Sequence, residues 1–309
     1  MRILVTGGAG FIGSNFVTRT LETQAGQEIT VLDSLTYAGS SSNLGSHLSS
    51  VQFIQGDIRD TELVTELVSK SDLVVHFAAE SHNDNSLENP NLFYETNIMG
   101  TLNISNACVR HDVRLHHIST DEVFGDLPLE STESFSLATP YNPSSPYSAS
   151  KAAADHLIRA WVRSFGLRAT ISNSSNNYGP RQHREKLIPN TIKKLLSGER
   201  AEVYGAGLNV RDWIHVDDHV DGIWLAIEKG VIGNTYLFGV GDTLTNLSVV
   251  TSIIRELNMP DDFIKYVKDR PGHDLRYSID ASASIRELDW QPSHYSLISN
   301  LPDLLTWYR

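Results

Sequence analysis

Arg2-Ile3-Leu4-Val5-Thr6 runs directly into Gly7-Gly8-Ala9-Gly10-Phe11-Ile12-Gly13, and the reading of this stretch decides the fold. The apolar run has the length of a buried strand, and a helical pattern starts near Phe11. Gly8, Gly10 and Gly13 fit GxGxxG; Gly7 adds the wider GxxGxxG spacing with Gly10 and Gly13. Glycine is required where a tight turn lets backbone approach a pyrophosphate and a helix N-terminus offers that anion free N–H groups. Asp33 follows the second apolar run, Ile29–Leu32, twenty residues after Gly13. A carboxylate at that spacing suits the hydroxyls of an adenosine ribose. No Arg or Lys stands between Asp33 and Asn43, which favours NAD over NADP. A lone glycine loop can be a mere turn. Here strand, glycines, helix, strand and acid come in the order a dinucleotide requires.

Working outward, further apolar runs at Val51–Ile54, Leu73–Phe77, Val113–Ile118 and Arg168–Ser172 read as strands. Helical segments separate several of them, near Glu62–Ser69, Asn91–Arg110 and Pro146–Phe165. Continuous apolar strands spaced by helices imply a parallel sheet covered on both faces. The expected class is α/β, a Rossmann-type doubly wound parallel sheet with a smaller C-terminal α/β substrate-binding domain. The division falls at 1–175 for the NAD-binding part, also receiving part of 210–240, and 176–309 for the nucleotide-sugar part. In the second part, helices are expected near Glu185–Leu196, Val216–Glu228, Leu247–Leu257 and Leu297–Tyr308.

Composition bounds the function. The chain has 309 residues, with 25 Lys and Arg against 37 Asp and Glu, a formal charge of −12. That balance argues against binding a nucleic-acid polymer by bulk charge, though local cations can still hold a small anion. The single cysteine, Cys108, excludes an intrachain disulfide and fits a reducing, cytoplasmic setting. It lies in a helix without ligand-like neighbours and reads as structural; no metal site is expected. No apolar run reaches the length of a membrane span, and the N-terminus does not read as a signal peptide.

Two clusters carry possible chemistry. Tyr147 and Lys151 stand at i and i+4 of an expected helix, so phenol and ammonium share a face. A nearby cation favours the phenolate and would make Tyr147 a usable base. An isolated pair of this kind is more often a surface Tyr and a solvated Lys; its place after a dinucleotide loop reverses that. Ser119-Thr120-Asp121-Glu122 lies just beyond the fifth strand, where open parallel sheets bind ligands. Two adjacent carboxyls there could divide acid and base roles, or could be an acidic solvated loop.

With these residues in place the sequence resembles the extended short-chain dehydrogenase/reductase family and, within it, the dTDP-glucose 4,6-dehydratases. The resemblance rests on 7–13, Leu35-Thr36-Tyr37-Ala38-Gly39, Gly56-Asp57-Ile58-Arg59-Asp60 and Ala78-Ala79-Glu80-Ser81-His82. It continues through Thr120–Val123, Ser145–Lys151, Ser175–Pro180, Glu185–Pro189, Val210–Trp213 and Asp269–Asp274, nearly the whole chain. The Thr-Asp-Glu-Val run discriminates, since related epimerases generally lack the Asp–Glu pair. The resemblance implies a redox-neutral lyase reaction on dTDP-glucose with NAD. Tyr147 would accept the proton of the 4-hydroxyl as hydride leaves C4. Glu122 would then take the C5 proton, and a protonated Asp121 would assist loss of the 6-hydroxyl as hydride returns to C6.

The resemblance also implies site residues. The catalytic set is Thr120, Asp121, Glu122, Tyr147 and Lys151. The cofactor set is Gly7, Gly10, Phe11, Ile12, Gly13, Asp33, Ser34, Thr36, Ala38, Gly39, Asp57, Ile58, Phe77, Ala78, Ala79, Ser81, Thr96, Ser119 and Asn177, with Tyr147 and Lys151. The substrate set is His82, Thr120, Asn176, Lys186, Leu187, Tyr204, Arg211, Asn246, Arg270 and His273. Lys186, Arg211 and Arg270 supply cations for a diphosphate. The chain departs from the usual pattern at Ser34 (Lys), Asn83 (Val), Asn85 (Arg), Phe124 (Tyr), Glu202 (Pro) and Arg181–Arg184. A homodimer is implied, with the helices near Pro90–Arg110 and Pro146–Phe165 forming a four-helix interface. Other NAD-dependent enzymes of UDP-sugars (dehydratase, 4-epimerase, decarboxylase) stand as alternatives. A non-catalytic dinucleotide sensor is more remote, having no need of all four of Asp121, Glu122, Tyr147 and Lys151.

Overall fold

The computed structural model describes residues 1–269 and 272–309. Twelve strands are described: β1 Arg2–Thr6, β2 Glu28–Asp33, β3 Gln52–Gln55, β4 Leu73–His76, β5 Arg114–Thr120, β6 Ala169–Ser174, β7 Asn176–Tyr178, β8 Ala201–Tyr204, β9 Val210–His215, β10 Thr235–Phe238, β11 Thr243–Thr245 and β12 Ile264–Val267. Eleven α-helices accompany them: α1 Phe11–Thr23, α2 Thr61–Ser69, α3 Asn83–Glu88, α4 Pro90–Tyr94, α5 Thr101–His111, α6 Pro146–Phe165, α7 Leu187–Leu196, α8 Val216–Glu228, α9 Asn246–Glu256, α10 Ser282–Leu288 and α11 Leu301–Tyr308.

Seven strands form one sheet in the order β10-β6-β5-β4-β1-β2-β3, every pair parallel. Strand residues alternate between faces, so each apolar run serves two cores. Leu4, Leu32, Val74 and Leu115 pack with Val64, Ile104, Cys108 and Ile158 from α2, α5 and α6. Ile3, Val5, Val31 and Val75 pack on the other face with Phe16, Val220, Ile223 and Trp224 from α1 and α8. The fold is the expected parallel α/β class, and the order reverses at β1, where neighbours run outward both ways. Such a reversal opens a crevice at the carboxyl ends of the strands.

The chain leaves this layer after β6, makes β7, β8 and β9, returns through α8 and β10, and leaves again. A three-stranded sheet, β11-β9-β7, and a parallel pair, β12-β8, carry a separate core with α7, α9 and α11. Ile188, Val203, Trp213, Val250, Ile253 and Leu304 are buried there.

Two helices differ from their sequence reading. The expected Asn91–Arg110 helix is three pieces: α4, a π-turn over Glu95–Gly100, and α5. Apolar periodicity does not register the extra residue of a π-turn. Asn97 within it donates from Nδ2 to the Glu80 carbonyl at 3.0 Å and to Ser150 Oγ at 2.9 Å, tying the turn to α6. The expected Leu297–Tyr308 helix opens with a 3₁₀ turn over Ile298–Asn300, and Pro302 sits in the first turn of α11.

Candidate active site

Gly7 leaves β1 with φ +71°, and a side chain there would lie 2.6 Å from the Ala78 nitrogen. At Gly13 an added Cβ would lie 2.3 Å from the Gly7 carbonyl oxygen. Glycine is therefore demanded both by backbone conformation and by close approach. α1 starts at Phe11 with no side-chain cap, leaving its first N–H groups turned to the crevice. Asp33 ends β2 and is buried; its Oδ2 accepts from Ala9 N at 2.9 Å and its Oδ1 from Leu35 N at 2.8 Å. Burial pushes its carboxyl above the usual range. Each oxygen keeps a lone pair for a ribose hydroxyl.

α6 brings Tyr147 and Lys151 to the same end of the sheet. Ser145 caps it, accepting from Ser148 N at 3.1 Å, and Pro146 occupies the first turn. Both side chains are buried. Burial, then the carboxyls of Glu122 and Asp121, hold the Tyr147 phenol well above its ordinary value, while a hydrogen bond with Thr120 acts in the opposite direction. Lys151 Nζ donates to the Ile118 carbonyl at 2.7 Å and lies 3.3 Å from His117 Nε2. Burial lowers its ammonium to about 8, partly countered by Asp155. The sequence reading gave Lys151 the task of favouring the phenolate. In this geometry its amine donates to β5, and a hydrogen bond with Thr120 also favours ionised Tyr147.

β5 ends in Thr120, whose hydroxyl accepts from Glu122 N at 3.3 Å and caps a short 3₁₀ turn, Asp121–Phe124. That cap sends the two adjacent carboxyls into different surroundings. Asp121 is 2% exposed, and its Oδ2 has no hydrogen-bond partner among the described residues. Burial, with Glu122 and Asp212 nearby, raises its carboxyl well above the ordinary range, which suits a protonated acid. Glu122 Oε2 instead accepts from Asn83 Nδ2 at 2.9 Å. A pair divided in this way can supply an acid and a base at once.

One cavity of about 380 Å³ joins these parts. Its walls include every residue of the expected cofactor and catalytic sets, from Gly7 through Asp33 and Ser81 to Thr120, Tyr147 and Lys151. Of the expected substrate set, Thr120, Asn176 and Lys186 line it, whereas His82, Leu187, Tyr204, Arg211, Asn246 and His273 lie outside that lining. His82 stands at the amino end of α3 without capping it by its side chain, 3.9 Å from Glu185. Leu187 opens α7 and Asn246 opens α9. Tyr204 and His273 meet edge to face, ring centroids 6.1 Å apart. Arg211 is buried against Tyr277 at 4.2 Å and donates to the Val210 and Asp274 carbonyls. Arg270 lies outside the described residues. The sequence reading assigned no site role to Arg59, Glu80, Gln182, His183 and Glu185, which also line the cavity. They carry no motif of their own; Glu80, Arg59 and Glu185 lay inside matched runs without being singled out.

The family model described as GDP-mannose 4,6 dehydratase matches residues 4–297. A dTDP-glucose 4,6-dehydratase of Mycolicibacterium smegmatis is 56% identical over 310 aligned residues, covering 100% of this chain and 93% of that protein. The solved DesIV dTDP-glucose 4,6-dehydratase of Streptomyces venezuelae, with NAD bound, is 44% identical with TM-score 0.95, covering 100% of this chain and 97% of its own. A UDP-glucose 4-epimerase of Thermus thermophilus, also with NAD, is 30% identical with TM-score 0.91, covering 100% and 99%.

Proposed function

This chain belongs to the GDP-mannose 4,6 dehydratase family of extended short-chain dehydrogenase/reductase proteins, and from that premise we propose that it is a dTDP-glucose 4,6-dehydratase using NAD. The product is dTDP-4-keto-6-deoxyglucose. The observation that carries the reading is the single cavity in which the glycine loop, Tyr147 with Lys151, and the divided Asp121–Glu122 pair face one space.

The residues fit the cofactor: the Gly7–Gly13 cradle has no room for side chains, α1 presents its amino end, and Asp33 stands ready for a ribose. Gly7, Gly10 and Gly13 would hold the pyrophosphate, Asp33 the adenosine ribose, and Lys151 the ribose at the nicotinamide end. Bound NAD supplies a reversible hydride acceptor, and its positive ring adds to the forces favouring ionised Tyr147.

Tyr147 takes the proton from the sugar 4-hydroxyl, helped by the bond from Thr120. The 4-keto group then acidifies the C5 hydrogen, which Glu122 removes. Asp121 gives its proton to the 6-hydroxyl, which leaves as water. Glu122 or exchanged solvent reprotonates C5. Over one turnover Tyr147 gains a proton and Asp121 loses one, so the site resets by a net transfer from phenol to carboxyl. Asn176 and Lys186 meet the sugar and diphosphate, with His82, Leu187, Tyr204, Arg211, Asn246, Arg270 and His273 completing the nucleotide side.

The test is incubation of purified protein with dTDP-glucose and, separately, UDP-glucose, followed by mass spectrometry. Loss of one water from dTDP-glucose is expected; an isomer of unchanged mass would replace this reading with epimerisation. A faster loss from UDP-glucose would reassign the nucleotide. The proposal extends to a cytoplasmic homodimer. Tyr94, Met99 and Phe165 are large apolar groups left exposed on the segments expected to form that interface. A sedimentation mass of one chain would exclude the dimer.

A further inference from the structure

Asn83 opens α3 directly after His82 and departs from the usual Val. Its Nδ2 donates to Glu122 Oε2 at 2.9 Å, and its Oδ1 accepts from Ser145 Oγ at 2.9 Å. Ser145 is the cap of α6, the helix that carries Tyr147 and Lys151. One primary amide thus spans from the acid pair to the first turn of that helix. The direction of the bonds follows from chemistry. A carboxylate only accepts, so the NH₂ end faces Glu122, and the Ser145 hydroxyl hydrogen goes to the amide oxygen. The rest of the cap is also satisfied: Ser145 N donates to Ser148 Oγ at 3.0 Å, and Ser148 Oγ donates to the Ser145 carbonyl at 3.1 Å.

The two carboxyls are therefore treated unequally by this chain. Asp121 Oδ2 is buried without a partner among the described residues. Glu122 Oε2 receives an N–H from a group that cannot accept a proton back. That contact ties the Glu122 carboxyl group to the first turn of α6.

We propose that Asn83 is a positioning residue for the elimination step, holding Glu122 as an oriented carboxylate in register with the Tyr147 helix. The inference rests on the dehydratase reading, with Glu122 as the base at C5. The contact selects for water loss and leaves C4 oxidation alone, because Tyr147 has its own support in Thr120 and α6. Asp121 beside Glu122, Tyr147 from α6 and Tyr277 are the other titratable groups whose charge state couples to Glu122.

The test compares wild type, Asn83→Val and Asn83→Asp as purified full-length enzyme with dTDP-glucose. Rapid-quench mass spectrometry separates the oxidised sugar, two hydrogens lighter than substrate, from the product, one water lighter. Asn83→Val is expected to lower kcat about tenfold, the size of one charge-assisted hydrogen bond, with KM within about twofold. The oxidised sugar should accumulate, because C4 oxidation proceeds while the base at C5 is no longer held in place. Asn83→Asp puts a carboxyl in place of the donating amide, so its loss of kcat should be at least as great, with the same accumulation of oxidised sugar. Equal slowing of oxidation and elimination, with no accumulation of the oxidised sugar, would leave Asn83 a structural link only and overturn the proposal. If Asn83→Val does not fold, the same reading of Asn83→Asp decides. A wild type that removes no water from dTDP-glucose would sink the parent reading instead, and is seen before any variant is made.

Discussion

The cofactor side of the cavity and the nucleotide-sugar side are built by different means. Around β1, β2 and β4 the site is mostly backbone: a positive φ at Gly7, an uncapped helix start, and Asp33 fixed by two main-chain N–H groups. On the other side, the residues expected to meet the nucleotide sugar are side chains carried mostly by β8, β9, α7 and α9. Of the residues expected there, only Thr120, Asn176 and Lys186 reach the common lining. The large sheet and α8 also bury four histidines, whereas the charged groups buried on the other side include Arg211 and Asp212. Backbone sites are set once the strands pair. Side-chain sites depend on where flexible cations come to rest, and Arg211 shows one resting on carbonyls and an aromatic face.

The broadest way to test the contrast is acid. His76 and His116 are fully buried with imidazoles held well below the ordinary value by burial. Burial likewise lowers His117 to about 4 and His219 to about 3. Below pH 6.5 the unfolded chain protonates all four while the folded chain does not, so stability is complete above that pH and falls as pH drops towards the folded values. Asp121, raised by burial, and Asp212, raised to about 6 by burial, act in the opposite sense by taking protons in the folded state. Each histidine left uncompensated takes away about 1.4 kcal/mol per pH unit, so stability should fall between about pH 6 and 5. Urea denaturation at pH 7, 6 and 5 measures it. His219→Gln, which keeps a polar partner for Asn177, should lessen the slope by about 1.4 kcal/mol per pH unit. A pH-independent midpoint would mean that these histidines are not neutral in the fold.

Next in size is the chemistry at the seam. Tyr147→Phe should lower turnover about 10³-fold, within the usual worth of a positioned general base, with dTDP-glucose affinity within a few-fold. Product mass and titration calorimetry check the two halves of that statement. Asp121→Asn with Glu122→Gln should slow water loss about 10²-fold or more while the oxidised sugar still forms. Dehydration at the wild-type rate in either variant would remove these residues from the reaction.

The same contrast governs what could be read from the sequence. Strand runs, the glycine loop and Asp33 were legible because each is a local demand of backbone geometry on residue type. The π-turn at Glu95–Gly100 was not, since one extra residue leaves little trace in a 3.6-residue pattern. Lys151 was placed correctly on the Tyr147 helix, yet the direction of its amine towards Ile118 is decided by β5, far off in sequence. Asn83 appeared only as a departure from a pattern; its bond to Glu122 spans 39 residues and has no local signature. The two-lobed site is therefore legible to the extent that backbone makes it.

Glycine offers a matched pair within the first lobe. Gly7 and Gly26 have similar φ, +71° and +77°, but a Cβ at Gly7 meets the Ala78 backbone while nothing lies within 4 Å at Gly26. Gly26→Ala should cost only the left-handed penalty, about 1–2 kcal/mol. Gly7→Ala should cost more, by forcing β1 and β4 apart, and should also weaken NAD binding in titration. Equal losses, with NAD affinity intact, would mean that the close approach at Gly7 has no role in the cradle.

The smallest effect is expected on the side-chain lobe, at Arg211. Its two terminal nitrogens donate to the Val210 and Asp274 carbonyls at 2.8 and 2.9 Å, and its charge lowers the Asp121 carboxyl against the larger effect of burial. A guanidinium has five N–H donors, so these bonds leave others for a diphosphate. Lysine has the charge but not the planar fork, and cannot serve the carbonyls, Tyr277 and an anion together. Arg211→Lys is therefore expected to raise KM for dTDP-glucose about tenfold with kcat within about twofold, in line with one lost charge-assisted bond. A fall in kcat at constant KM would place Arg211 with Asp121, as part of the acid's electrostatic setting. The nucleotide diphosphate would then have to rely on Lys186 and the remaining cations of that lobe.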